Sequence, residues 1–216
     1  GAGDVQWMTA GSGILHQEMP SGNNRGQMHG FQLWGNLPGS QKMCAPRYQD
    51  VQGKEIPEVI DDDGTRVKII VGDFWGKRGP VDGITADPQY LDVHVPAGVR
   101  KTFKIDTYRR AFAYVFDGQA AFADASAPQG VLLEKEVAGQ EVNIRDMSGD
   151  RTLVRFGTGD KITVQAGPEG VRFLLISGAP IQEPVAWHGP IVMNTRAELQ
   201  QALAELRNGT FIKPAH

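Results

Sequence analysis

His16 and Glu18 are the two side chains whose types and spacing most invite chemistry. They stand two residues apart in the run Ile14 to Met19, which Pro20 stops. A glycine hinge, Gly11-Ser12-Gly13, separates that run from an earlier apolar one, Val5 to Met8. Two short strands around a glycine turn is what this pattern predicts. Side chains alternate across a strand, so His16 and Glu18 share one face while Leu15, Gln17 and Met19 take the other. An imidazole and a carboxylate held side by side can converge on one metal ion. The same pair can also be an ordinary hydrogen-bonded couple, so spacing supplies half a site and leaves both readings open.

The remaining candidates are scattered. His29 opens a stretch, His29 to Leu37, that reads as a strand with bulk on both faces. It could be a further ligand, but a histidine at a strand start is expected to serve as a hydrogen-bonded structural residue. His94 has only Asp92 two positions away, on a face expected to meet solvent, so no metal is expected there. His188, between Trp187 and Gly189-Pro190, is expected to be buried and structural. Cys44 is a lone cysteine, which rules out an internal disulfide and fits a reducing, cytoplasmic setting. With only Lys42 and Arg47 nearby to lower its pKa, it is read as a small apolar residue.

The elements that must position these residues are mostly short strands. Arg66 to Val71, Tyr90 to Val95, Lys101 to Ile105, Ala111 to Phe116, Gln119 to Ala123, Val131 to Leu133, Arg151 to Phe156, Lys161 to Gln165 and Val171 to Ser177 are apolar or alternating, with turn residues between them. Asp117-Gly118 is a two-residue hairpin signal. Such regular spacing predicts an all-β barrel or jelly roll. Residues 38–64 show no sustained period and read as a linker, with Asp61-Asp62-Asp63-Gly64 a solvated turn. Only the end of the chain is helical in pattern. Thr195-x-x-Glu198 is a capping box, Leu199, Ala202, Leu203 and Leu206 recur at helical spacing, and Gly209 sits where a helix stops.

Composition excludes several functions. The 216 residues carry a net charge of −3 with no basic block, which gives phosphate-driven nucleic-acid binding little support. No run approaches the roughly 18 apolar residues of a membrane span. The 27 glycines and 13 prolines suit a turn-rich globular chain.

Residues 3–20 and Gly30-Phe31-Gln32-Leu33-Trp34 resemble the pirin family of the cupin superfamily. Gly178-Ala179-Pro180-Ile181, Glu183-Pro184 and the stretch Trp187 to Thr195 resemble it again. The resemblance implies two double-stranded β-helix (cupin) barrels, the second complete over 65–180 and the first partial over 1–40. It further implies a linker at 41–64 and a tail with a short helix, 181–216, returning to the first barrel. In the family a non-haem Fe(2+) is held by three histidines and one glutamate, and two of these map onto His16 and Glu18. Glu18 would also take part in catalysis. The other two ligands come from an upstream His-x-His motif, which this sequence lacks. Iron is therefore expected to bind weakly or not at all. Two functions follow from the resemblance: a quercetin 2,3-dioxygenase opening a flavonol-type substrate with oxygen, or a non-enzymatic, metal-responsive binding module such as a transcriptional cofactor. A partial barrel also exposes strand edges, so a homodimer through residues 1–40 is expected.

Overall fold

The computed structural model describes residues 1–17, 22, 25–122 and 148–213. Its strands are β1 Val5–Thr9, β2 Arg47–Val51, β3 Glu58–Ile60, β4 Arg66–Val71, β5 Asp73–Phe74, β6 Lys77–Arg78 and β7 Gln89–Val95. They continue with β8 Arg100–Lys104, β9 Arg110–Ala121, β10 Ser148–Gly149, β11 Thr152–Arg155, β12 Lys161–Gly178, β13 Ala186–His188 and β14 Ile191–Met193. One α-helix among the described residues, α1 Arg196–Asn208, follows.

The chain divides into two compact units, one of residues 1–6 with 50–180 and one of residues 7–49 with 181–216. The first holds an eight-stranded antiparallel sheet in the order β10-β9-β12-β7-β4-β3, with β11 on β9 and β8 on β12. Its alternation puts whole cross-strand rows on one side. Val67, Val93, Phe173 and Val115 align in one row, and Ile69, Leu91, Leu175 and Ala113 in the next. All eight are buried without residual exposure. Each such burial is worth about 1.5–3 kcal/mol for a large side chain. Aromatic rings fill the middle: Phe173 meets Phe103 and Phe122 edge-on, with centroids 6.2 and 5.5 Å apart, and Phe122 reaches Phe156 at 5.8 Å. The interior is thus a packed apolar core.

The chain runs through this sheet differently from the sequence expectation in three places. Asp117-Gly118 makes no hairpin; β9 passes straight through it. Gly118 has φ +68° and lies against the carbonyl of Gly170, so the glycine serves a close backbone approach at a register shift. For the same reason Lys161 to Gln165 and Val171 to Ser177 are one strand, β12, which pairs with β8 at its start and with β7 at its end. The stretch read as a linker carries β2 and β3, and β3 pairs with β4 in the large sheet. Two of the three carboxylates in the Asp61–Asp63 turn, those of Asp61 and Asp63, are tied to Lys101 of β8. Lys101 stands among other cations, Arg100 and Lys104, and nothing local marks it as the partner of a turn 40 residues earlier. The expected strand at 131–133 lies outside the described residues.

In the second unit, β13 and β14 form a hairpin on which α1 packs. The capping box is present as expected: Glu198 N–H donates to Thr195 Oγ1 at 3.2 Å, and Thr195 N–H donates to Glu198 Oε2 at 2.8 Å. Gly209 ends the helix at φ +71°. The tail is fastened to the earlier residues of the same unit, where Gly39 N–H donates to Glu183 Oε2 at 2.6 Å and Asn194 Nδ2 donates to the same oxygen at 2.8 Å. β1 and β2 form a two-stranded sheet, and the division between the units falls within both strands. The run from Ile14 and the run His29 to Leu37, expected as strands, are irregular at residues 14–17 and 29–37. Among the described residues no strand pairs with either, and without a ladder partner an apolar alternating run has nothing to hold it extended. No described helix is long and apolar enough to cross a membrane.

Candidate functional site

Residues 7–49 and 181–213 build the surroundings of His16 from the hinge upward. Gly11 has φ +52°, and a side chain there would meet the carbonyl oxygen of Cys44 at 2.2 Å. Ser12 N–H donates to that carbonyl at 2.8 Å, and Gly13 N–H donates to Ala10 O at 2.9 Å. Gly13, at φ +128°, lies against the ring of Phe211. The backbone at both places lies at positive φ, which favours glycine, and at Gly11 a Cβ would also strike a backbone carbonyl. The hinge leads into Ile14, Leu15 and His16, and the His16 side chain is exposed. Glu18 lies outside the described residues.

His29 is exposed and stacks edge-on against Phe31, with centroids 5.1 Å apart. Leu15 (73% exposed), Met28 (63%), Phe31 (42%) and Trp34 (59%) face outward around it in sequence. Among the described residues no three His, Cys, Asp or Glu side chains converge on a point that could hold a metal. His16 offers one donor, and the described residues therefore do not by themselves make a ligand set for iron. His188, expected to be buried, is exposed on β13; its neighbour Trp187 satisfies its own indole N–H on Gly189 O at 2.6 Å, so the hairpin closes without the imidazole.

Lys42 is a residue that no sequence pattern announced. It is 6% exposed, and its ammonium donates to Asn36 Oδ1 at 2.6 Å and to Leu37 O at 2.9 Å. Burial pushes its pKa down, while the carboxylates of Glu183 and Glu198 push it up. It pins the end of the 29–37 stretch. Phe211 was also missed, although an apolar residue just past a helix-ending glycine commonly folds back to pack.

In the first unit, Asp92 and His94 share the face opposite the core, as expected, and both are partly buried. Asp92 takes a two-pronged bond from Arg172, 2.9 Å at Nε and 2.6 Å at Nη2. His94 aligns with Arg66 on one side and Arg172 on the other, and its buried Nδ1 finds no partner. Desolvation first, then the charges of Arg66 and Arg172, lower its pKa, against Asp117 and Asp92, which raise it. The folded state therefore disfavours the imidazolium. Relative to an unfolded value near 6.5, this contribution is fully present above that pH and is lost as pH falls through the depressed folded value. Urea midpoints should decline from pH 7.5 towards pH 5, and His94→Gln should flatten part of that decline; an unchanged slope in the variant would remove His94 from the account.

An antiparallel sheet with a packed apolar core, followed by a hairpin and a helix packed on it, has counterparts. The family model described as "Pirin C-terminal cupin domain" matches residues 90–212, and that described as "Pirin" matches residues 1–35. The first of these spans more than half of the chain. The chain belongs to the pirin family. A pirin-like protein of Caulobacter vibrioides is 39% identical over 98% of this chain and 68% of its own length. Pirin of Homo sapiens is 37% identical over 95% of this chain and 64% of its own. A crystal structure of quercetin 2,3-dioxygenase from Acinetobacter baumannii superposes with a TM-score of 0.76 at 26% identity, over 97% of this chain and 67% of that one. The chain thus spans about two thirds of the length of these relatives. The fold is the cupin β-barrel, mostly strand with one short C-terminal helix among the described residues.

Proposed function

We propose that this pirin chain carries part of the centre of a flavonol dioxygenase of the quercetin 2,3-dioxygenase kind, with His16 and Glu18 facing an iron ion and Glu18 also serving catalysis. The observation that carries this reading is the likeness, along nearly the whole chain, to the dioxygenase of Acinetobacter baumannii. It fits a cytoplasmic, metal-dependent oxidoreductase. The domain plan that goes with it is a partial first barrel over 1–40 and a complete second barrel over 65–180. Because only two donors are in hand, iron should be retained below one equivalent per chain after dialysis against a chelator. With excess Fe(2+), quercetin should be consumed with oxygen uptake, slowly, and His16→Ala should abolish it. Absence of any quercetin-dependent oxygen uptake at saturating Fe(2+) would turn the assignment to the second reading.

That second reading is a non-enzymatic binding module acting through protein contacts, as a transcriptional cofactor would. Among the described residues, ten of the 13 exposed large apolar side chains belong to the unit of residues 7–49 and 181–216, an enrichment that marks interaction surfaces. The same enrichment supports a homodimer through residues 1–40. Light scattering over a dilution series should then give twice the chain mass at micromolar concentration, and a monomer there would dismiss the dimer.

A further inference from the structure

Since residues 14–17 belong to no strand, no hydrogen-bonded ladder sets the direction in which His16 points. The torsions of the preceding hinge do so instead. One side of that hinge is held by a backbone bond, Ser12 N–H to the carbonyl of Cys44 at 2.8 Å. On the other side Gly13 N–H donates to Ala10 O at 2.9 Å, which sets the peptide plane before Gly13 but not the torsions of Gly13 itself; those are met only by contact. A Cβ placed on Gly13 would come to 2.6 Å from Cε1 of Phe211, 3.0 Å from Cζ and 3.2 Å from Cδ1, so the ring lies directly against the last residue of the hinge.

Phe211 is itself firmly mounted. Gly209 closes α1, Thr210 N–H donates back to Glu205 O at 2.9 Å, and Lys213 Nζ donates to Glu205 Oε2 at 2.6 Å and to Thr210 O at 3.3 Å. The last turn of α1 thus presents the ring as a fixed stop, with bonds on both sides of residue 211. Gly13 at φ +128° is in a region that glycine enters freely and leaves as freely. Something must select that conformation, and Phe211 is the group in contact with it.

We infer that Phe211 is a positioning residue for His16: its ring holds Gly13 in the conformation that aims the segment carrying the imidazole. The consequence for metal binding rests on the reading of His16 as a ligand, while the consequence for His16 geometry does not. The test compares wild type, Phe211→Ala, Phe211→Leu and Gly13→Ala by histidine side-chain NMR and by Co(2+) titration of the full chain. Phe211→Ala should shift the His16 imidazole resonances while leaving those of His94, in the other unit, in place. Phe211→Leu, which keeps apolar bulk against Gly13, should return them part of the way. Co(2+) affinity in Phe211→Ala should fall roughly 10- to 100-fold, the usual cost of losing the support behind a ligand. Gly13→Ala should move His16 further, and adding Phe211→Ala to it should bring less than the sum of the two changes.

His16 resonances of a folded Phe211→Ala variant that superpose on wild type would overturn the inference. If that variant does not fold, Phe211→Leu decides in the same way, with unshifted His16 signals against the inference and intermediate ones for it. A wild-type chain that binds no Co(2+) would count against the metal assignment alone, and the His16 shift would still decide the role of Phe211.

Discussion

Phe173→Ala should lower the stability of the unit that contains the large sheet by about 3–5 kcal/mol, enough to take most of the margin of an ordinary domain, which is about 5–15 kcal/mol. Phe173 has no exposed surface and stands where the rings of Phe103 and Phe122 both meet it edge-on. Removing it takes one ring contact from each of Phe103 and Phe122, in a row whose other members, Val67, Val93 and Val115, are fixed by strand register and cannot slide inward. The cavity therefore stays open, which places the cost at the upper end of what such truncations show. Urea unfolding followed by far-UV dichroism would show the midpoint fall. A loss under 1 kcal/mol would mean that the interior collapses around the gap and is not packed as described.

Gly118→Ala should cost nearly as much, about 2–4 kcal/mol from a left-handed backbone and forced overpacking together. The added methyl would sit 2.2 Å from the carbonyl oxygen of Gly170 and 3.1 Å from Cα of Val171, both backbone atoms in the neighbouring strand. No rotamer change can relieve that contact. The strands would have to part at the register shift where β9 crosses β12, and the pairing of Asp117 with Arg172 would go with it. Gly149→Ala is the matched control, because its nearest atom lies at 4.0 Å. Equal denaturation curves for the Gly118 and Gly149 variants would remove the close approach as an explanation for the glycine.

The large sheet was the most legible part of the sequence. β4, Arg66–Val71, coincides with the run seen there, and β7, β8 and β11 differ from expectation by a residue or two at their ends. These strands alternate because one face is buried, and burial of one face is what a period of two records. The helix was equally legible, since a capping box and a terminal glycine are local features. Gly118 was misread because a glycine after aspartate serves a hairpin or a close crossing with the same local signature, and only the partner strand distinguishes them. Residues 29–37 were misread for a related reason: Phe31, Leu33 and Trp34 have strand-like types, but a strand also needs a neighbour. At the candidate centre the hinge glycines were legible and their purpose was not. Cys44 and Phe211, which explain why residues 11 and 13 lack side chains, are 33 and 198 positions away in the chain. Lys42, buried on an amide oxygen and a carbonyl, leaves no trace in local pattern because its partners are ordinary residues.

β12 has a consequence for how the chain is made. Its 18 residues pair with β7, β8 and β9 alike, so the sheet has no closed order of strands until Lys161–Gly178 is in place. A ribosome delivers β7, β8 and β9 first. From the time Gln89–Val95 emerges until β12 follows, the edges of β7, β8 and β9 that β12 will take stay open, although β7 can already pair with β4 and β9 later with β10 and β11. Folding of this sheet must then be mainly post-translational for the residues concerned, and slow, because its decisive contacts join distant parts of the chain. Nascent chains ending before residue 161 should need a holding chaperone, whereas those ending beyond residue 180 should release it.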